Sequence, residues 1–341
     1  MTLRLMAGSL FLLGTLISCN EKKEAEKPLV AKEQGFDYKV DRFADIQVLR
    51  YRIPGFEELA LKEKKLVYYL TQAGLSGRDI IWDQNYRHNL TIREALENIH
   101  THFTGDRTSG DWKAFEEYLK RVWFSNGIHH HYSNDKIMPG FSSDYLTFLL
   151  GETDTELKGE AFEVIFNDQD NKKVNKKKGV DIVAASAVNF YDSTLTDDEV
   201  EAFYKTAYKG PADRPIEAGL NSTLVRENGE LVEKVWKSGG LYGSAIDEII
   251  EWLEKARGVA ENQKQADALG LLIEYYKTGS LDTWDKYCIA WATSTEGNID
   301  WINGFIEVYN DPKGYRGSYE SIVQIKDFEM SRQMAVLSEN V

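Results

Sequence analysis

The sequence predicts an α+β fold in which many helices surround a small mixed or antiparallel β-barrel or sheet. Several segments repeat apolar residues at helical spacing, as in Val200, Phe203, Tyr204 and Ala207. Shorter segments alternate apolar and polar side chains, as half-buried strands do. The sequence has neither the regular strand and helix alternation nor the glycine fingerprint of a dinucleotide-binding fold.

The composition is that of a folded, acidic protein. Its 341 residues are 42% hydrophobic and 12% aromatic, enough to bury the core of one large domain or roughly two smaller ones. The formal net charge is -14. Because nucleic-acid binding relies on clustered Lys and Arg, we expect no nucleic acid as a partner.

The first residues resemble a bacterial lipoprotein signal, which we assign to residues 1–19. Arg4 supplies a short positive region, and the apolar run 5–17 is too short to span a bilayer. The run Leu-Ile-Ser-Cys that ends at Cys19 resembles a lipobox, in which the cysteine is lipidated; an ordinary secretory signal with a chance cysteine is the alternative. Residues 20–36 are rich in Glu and Lys and predict a flexible tether. We therefore expect a membrane-anchored lipoprotein of the cell envelope, on its periplasmic or surface side.

The first elements after the tether are a strand and helices. Residues 45–53 alternate apolar and polar side chains, which predicts a half-buried strand that ends at Pro54. Residues 56–73 carry the apolar face of a helix. Thr91 and Glu94 form a capping-box pattern at the start of the next helix.

The middle of the chain predicts one further strand and three further helices. Phe162, Val164 and Phe166 alternate as in a strand. Thr196 and Glu199 form a second capping-box pattern. The predicted solvated loop between them contains the lysines at positions 172, 173, 176, 177 and 178. Amphipathic helices follow over residues 246–253 and 266–276, and residues 304–309 predict a short extended segment.

The apparent reactive groups of the sequence have ordinary explanations. Cys288 lies at helical spacing from Trp284 and Trp291, which favours a buried core cysteine over a nucleophile. His129 and His131 would share one face of an extended segment and are candidate metal ligands, with His100 and His102 as possible additions at a helix end, or they form a structural or cleft-lining cluster.

The sequence has no visible hydrolase centre. No histidine is followed by glutamate, as in zinc peptidases, and no Gly-x-Ser-x-Gly nucleophile turn is present.

Residues 298–320 are the densest polar and aromatic region of the sequence. Asp300 and Glu307 lie on a predicted strand with Asn303 and Gly304 between them. A carboxylate beside an aromatic groove is a suitable receptor for the ammonium of a peptide N-terminus. Alone, the same pattern is equally consistent with a strand that has a polar outer face.

Several blocks of this sequence resemble the dipeptidyl peptidase III family, in the same order and spacing. The run G-F-I-E-V-Y-N-D-P-K-G-Y-R-G-S-Y-E occupies residues 304–320, and L-I-E-Y-Y-K-T-G-S-L-D-T-W occupies residues 272–284. G-G-L-Y-G-S-A-I follows from Gly239. The segments 43–57 and 126–132 resemble bacterial members in particular.

The resemblance implies a two-lobed zinc exopeptidase that removes dipeptides from the N-termini of short peptides. Residues 37–320 would form its lower, substrate-binding lobe, a small β-barrel wrapped in helices. Residues 321–341 would begin the helix that leads to the zinc-bearing upper lobe. The zinc ligands of the family match no residue of this chain, so the resemblance implies a truncated or split peptidase, inactive unless a separately encoded zinc lobe complements it. A non-catalytic peptide-binding lipoprotein and a metal-binding module are the alternatives.

The resemblance also implies which residues contact the substrate. His131 and Tyr132 match a segment that lines the cleft. Asp300 takes the place of the glutamate that receives the substrate ammonium, and Ile302 replaces a tyrosine, so the hydrogen bond of that tyrosine is lost. Asn303 and Glu307 complete the predicted set on the same strand.

Overall fold

The computed structural model describes residues 36–340, so Cys19 and the predicted signal lie outside the described residues. Between residues 36 and 340 the chain forms eleven α-helices and a short 3-10 helix at Phe56–Glu58. The helices are α1 Leu61–Ser76, α2 Arg78–Asn85, α3 Asn89–His102, α4 Gly110–Ser125, α5 Ser143–Glu152, α6 Glu160–Phe166, α7 Asp197–Thr206, α8 Gly243–Arg257, α9 Gln263–Thr278, α10 Leu281–Thr293 and α11 Phe328–Glu339.

The strands form three separate antiparallel pairs within the described residues. They are β1 Lys39–Phe43 with β2 Ile46–Leu49, β3 Ser222–Glu227 with β4 Glu230–Val235, and β5 Ile299–Glu307 with β6 Ser318–Ile325. The predicted α+β class is therefore confirmed, with antiparallel pairing. The predicted barrel was wrong for this part of the chain, because each pair ends without a third hydrogen-bonded strand.

The buried apolar residues divide into two cores. The first, here called the helical core, lies among α2–α6 and contains an aromatic centre at Trp112, Phe115 and Tyr118. The second, here called the mixed core, joins α1 and α7–α10 to β3, β5 and β6. Its packing includes α1 against α8 and α9 against α10.

The predicted helix starts were confirmed at α7 and not at α3. Thr196 Oγ1 accepts a hydrogen bond from the Glu199 backbone N–H, and Glu199 accepts one from the Thr196 N–H at 3.0 Å, which completes a capping box. The predicted cap at Thr91 was wrong because α3 already begins at Asn89. The Asn89 side chain is buried and contacts the backbone of Trp82 and Ile128, so tertiary packing sets this helix start.

The predicted strand at residues 162–166 was also wrong, since this segment is helix α6. Gly159 precedes α6 with a φ of 58°. The buried residues Ala161, Val164 and Ile165 have the spacing of a helix face, and it is this face that packs into the helical core. Of the residues whose alternation predicted a strand, Phe162, Val164 and Phe166, only Val164 is among these buried residues.

The predicted strand 45–53 is shorter than expected. Strand β2 ends at Leu49, and Tyr51 and Ile53 are 81% and 62% exposed. The β1–β2 pair is held mainly by polar contacts to α4, including an ion pair between Lys120 and Asp41 at 2.7 Å. No described residues cover the apolar side chains after β2.

The C-terminal boundary predicted at residue 320 falls inside β6, and α11 begins only at Phe328. Helix α11 has no buried residues, and Met330, Met334, Val336 and Leu337 are each more than half exposed. Of the described helices, none has the length and apolar character needed to cross a membrane.

Candidate functional site

The candidate site is built on the β5–β6 hairpin. In β5 the side chains of Trp301, Asn303 and Phe305 are buried, whereas Asp300 is exposed and Ile302 is half-buried. This alternation follows from strand geometry, because successive side chains point to opposite faces. The predicted residues of β5 are therefore divided between its two faces.

The Asp300 carboxylate is held by α10. Its Oδ1 accepts hydrogen bonds from the Trp291 indole N–H at 2.9 Å and from the backbone N–H of Trp301 at 2.8 Å. Within residues 36–340 its Oδ2 has no hydrogen-bond partner. One oxygen is thus fixed in position while the other is available to a cation.

An apolar cavity of about 160 Å³ is lined by Ile302 and by Trp291, the residue that donates to Asp300. Asp300 itself lines a separate pocket of about 260 Å³. A Cβ atom added at Gly304 would lie 2.5 Å from the Trp284 ring, so glycine is needed for α10 to approach β5 this closely. The cavity accepts an apolar group beside the carboxylate, because its walls are almost entirely aromatic and aliphatic: Trp284, Tyr287, Cys288, Trp291, Trp301, Ile302, Asn303 and Ile306.

Asn303 has its side chain on the other face, where it is 3% exposed. Its Oδ1 accepts a hydrogen bond from the Tyr276 hydroxyl at 2.5 Å. Its Nδ2 donates to the Tyr319 and Ser321 hydroxyl oxygens, each at 3.3 Å. The amide therefore joins α9 to both strands. The predicted contact of Asn303 with substrate stays a prediction.

A polar pocket lies at the far end of β5 and contains two of the predicted residues, His131 and Glu307. Lys173 and Glu320 line it as well, and we call it the Lys173 pocket. Tyr132 is 85% exposed, with its ring centroid 4.9 Å from that of His131. The fold thus brings His131 and Glu307 together from distant parts of the sequence.

His129 does not join His131 in a metal site. It is 1% exposed, and its Nε2 lies 3.1 Å from the Asn171 carbonyl oxygen, which can only accept, so Nε2 carries the proton. Burial lowers the pKa of His129 to about 4. Across residues 36–340 no three His, Cys, Asp or Glu side chains are grouped as metal ligands. The described residues therefore do not fit a zinc ion.

The other predicted reactive groups have structural partners. His100 lies 3.5 Å from Glu116 and stacks on Trp112, and His102 Nδ1 lies 3.0 Å from the Asn98 carbonyl oxygen. Burial raises the pKa of the Cys288 thiol to about 11, so the thiol stays protonated and is a poor nucleophile at neutral pH.

The sequence reasoning missed Lys173 and Glu320. Lys173 was placed in a solvated lysine loop, and its neighbours Lys172, Lys176 and Lys177 are indeed exposed, but Lys173 is only 4% exposed. The one local signal was Val174, an apolar residue within the lysine run, which is also buried.

Comparison with known proteins places the site within a known family. The profile of Peptidase family M49 matches residues 167–341, just over half of the chain. The matched region contains β5, β6 and the Lys173 side of the polar pocket.

Curated relatives are dipeptidyl peptidases. The chain is 22% identical to mouse dipeptidyl peptidase 3 over 256 residues, which cover 66% of this chain and 35% of the mouse protein. It is 33% identical to human dipeptidyl peptidase 3 over 92 residues, which cover 27% of this chain and 12% of the human protein. The chain therefore spans about a third or less of the length of these relatives.

Solved structures show the same fold. DPP III from Caldithrix abyssi matches with a TM-score of 0.55 and 20% identity over 82% of this chain and 43% of that protein. The dipeptidyl-peptidase III from Corallococcus sp. strain EGB matches with a TM-score of 0.56 and 16% identity over 90% of this chain and 44% of that protein. The fold, the hairpin and the profile match agree: this chain belongs to Peptidase family M49.

Proposed function

We propose that this chain supplies the peptide-binding part of a dipeptidyl peptidase III-like enzyme, which removes dipeptides from the N-termini of short peptides. The proposal depends above all on the Asp300 carboxylate, which lies in the region that matches Peptidase family M49 and has one oxygen without a partner in the described chain. A peptide ammonium would bind there by a charge-assisted hydrogen bond.

The apolar cavity beside Asp300 supports this arrangement. A peptide whose ammonium contacts Asp300 would place its first side chains near Ile302 and the α10 tryptophans. The cavity would favour apolar side chains there, because its lining offers almost no polar atoms.

Hydrolysis itself needs groups that residues 36–340 do not supply. The family resemblance implies zinc, and the described residues do not fit that ion. We therefore derive no hydrolytic step from them and assign them binding and orientation only. The zinc chemistry would come from a zinc-bearing lobe, encoded separately or otherwise.

The run that ends at Cys19 and resembles a lipobox supports a further part of the proposal, a lipid anchor in the bacterial cell envelope. Short peptides outside the cytoplasm would then be the substrates. Metabolic labelling with a fatty-acid analogue tests it, since Cys19→Ser should abolish the label.

A peptide-binding experiment tests the assignment of Asp300. A hexapeptide with a free N-terminus should bind more tightly than its N-acetyl form, and Asp300→Asn should weaken the free peptide about tenfold and remove the difference. Asp213→Asn, which changes an exposed carboxylate elsewhere, is the matched control. Equal affinity of both peptides for the unaltered chain would exclude ammonium recognition.

A dipeptidyl arylamide assay separates the enzyme from the binding-protein alternative. Turnover by the chain together with a zinc-bearing lobe supports the enzyme. Peptide binding without turnover in that mixture supports a non-catalytic peptide-binding lipoprotein.

A further inference from the structure

The Lys173 pocket contains a largely buried lysine whose ammonium group opens onto the pocket without a partner in residues 36–340. Lys173 is 4% exposed, and its Nζ makes no hydrogen bond or ion pair within residues 36–340 although the residue lines the pocket. Lys136 shows the usual arrangement for comparison: its buried Nζ donates to the Asn167 carbonyl at 2.6 Å and to Asp170 at 3.3 Å. A buried charge without such partners costs stability, so its retention points to a ligand.

The cation side of the pocket also has an uncommitted imidazole. The His131 ring lines the pocket, and its Nδ1 is buried without a hydrogen-bond partner. Burial lowers the pKa of Lys173, and no carboxylate among residues 36–340 offsets this effect. An anionic group bound at Lys173 would restore the missing interaction.

Two carboxylates also line the pocket. Glu307 and Glu320 come from β5 and β6, and both line the pocket. Burial and then the nearby Glu307 carboxylate raise the pKa of Glu320, which shows that the two carboxylates interact. A bound cation between them would relieve this repulsion.

We infer that the Lys173 pocket binds a free dipeptide as a zwitterion, with its carboxylate at Lys173 and its ammonium at Glu307 and Glu320. The choice of a dipeptide rests on the proposed function, of which it is the product class. The site is distinct from Asp300, since the seven residue steps along β5 from Asp300 to Glu307 span roughly 20 Å.

Calorimetric titration of the full chain with glycyl-phenylalanine tests the inference. The unblocked dipeptide should bind at least tenfold more tightly than N-acetyl-glycyl-phenylalanine and glycyl-phenylalanine amide. Acetate alone should bind far more weakly. Acetate binding as tight as that of the dipeptide would reduce the pocket to an anion site and overturn the inference.

Two substitutions assign the two ends of the ligand. Lys173→Met should weaken the binding of glycyl-phenylalanine about tenfold, so that the dipeptide no longer binds more tightly than its amide. The thermal stability of this variant should stay the same or rise, because a buried unpaired charge is removed. Glu320→Gln should instead abolish the difference in affinity between the dipeptide and its N-acetyl form. Lys177→Met, an exposed lysine of the same loop, is the control and should change neither.

The outcomes separate this inference from the proposed function. Unchanged dipeptide affinity in both Lys173→Met and Glu320→Gln overturns the inference. Glu320 is only half-buried, so its variant should fold even if Lys173→Met does not. The proposed function is tested by hexapeptide binding in Asp300→Asn, so failure of one does not imply failure of the other.

Discussion

The helical core and the mixed core differ in the kinds of side chain that they bury. The helical core collects residues between Trp82 and Ile165 and is centred on packed aromatic rings, such as Trp112 on Phe103 at 4.8 Å. The mixed core collects residues between Leu66 and Tyr319 and contains buried polar groups at its centre. The first needs contacts close in sequence, whereas the second must join segments far apart.

The mixed core uses a buried ion pair to make these long connections. Arg316 and Asp311 are both 0% exposed. Arg316 donates to the Tyr204 hydroxyl at 2.5 Å and to the Ser222 carbonyl at 3.2 Å, and Asp311 accepts from the Tyr191 hydroxyl at 2.8 Å. Apolar packing alone tolerates small shifts, but these directional bonds define one arrangement of the loops around β3 and β5. The loop that joins β5 to β6 is therefore held by directional polar contacts in addition to the apolar packing of the mixed core.

The largest expected effect on stability comes from a substitution that breaks this polar network. Arg316→Met leaves the Asp311 carboxylate buried without its cation, which should lower the free energy of unfolding by about 3–5 kcal/mol. Urea denaturation measures it, and exposed Arg332→Met is the control, with an effect below about 0.5 kcal/mol. Adding Asp311→Asn to Arg316→Met should recover part of the loss, and full additivity of the two single effects would show that the pair is not coupled.

A cavity in the helical core should cost somewhat less. Leu119 is 0% exposed among the aromatic rings, so Leu119→Ala should lower the free energy of unfolding by about 3 kcal/mol. Intrinsic tryptophan fluorescence and circular dichroism during urea unfolding provide the measurement. Two separated transitions in this variant would show that the cores unfold independently, whereas a single shifted transition would show one cooperative unit.

The smallest effect concerns His129, which lies beside the helical core with its ring centroid 5.4 Å from that of Tyr86. Burial lowers its pKa from 6.5 to about 4, so the unfolded chain binds more protons between these values. The stability that His129 contributes is complete above pH 6.5 and is lost as the pH falls through 4.

Comparison of pH 7 with pH 4.5 measures this contribution. As the pH falls from 7 to 4.5, the unfolding free energy of the unaltered chain should decrease by about 2–3 kcal/mol more than that of His129→Leu. Other titrating groups are common to both proteins, so their contributions cancel when the two pH dependences are compared. Identical pH profiles would contradict a neutral, buried His129.

The fold class and many of the helices follow from local sequence. Helical spacing marked α8 and α9, and the Thr196–Glu199 pattern marked the start of α7, because capping and periodicity depend on residues within one or two turns. The same rules failed at residues 162–166, where strand-like alternation and a helix face overlapped in so short a segment.

The site was predicted in part. The sequence blocks identified Asp300, Ile302 and Glu307, and the strand period determined which of their side chains could share a face. The sequence could not show that His131 and Glu307 line one pocket, or that Asn303 is occupied by Tyr276. The shared pocket depends on the packing of segments more than a hundred positions apart. The contact of Asn303 depends on how α9 packs against β5.

The sequence by itself determined the α+β class, about half of the helices and the strand that carries Asp300, because these depend on short-range periodicity. The tertiary structure alone decided that Lys173 is buried while its neighbours are exposed, and that Arg316 meets Asp311 beneath Tyr191 and Tyr204. Burial and charge pairing depend on which distant segments exclude water from a side chain, and local periodicity does not specify those segments.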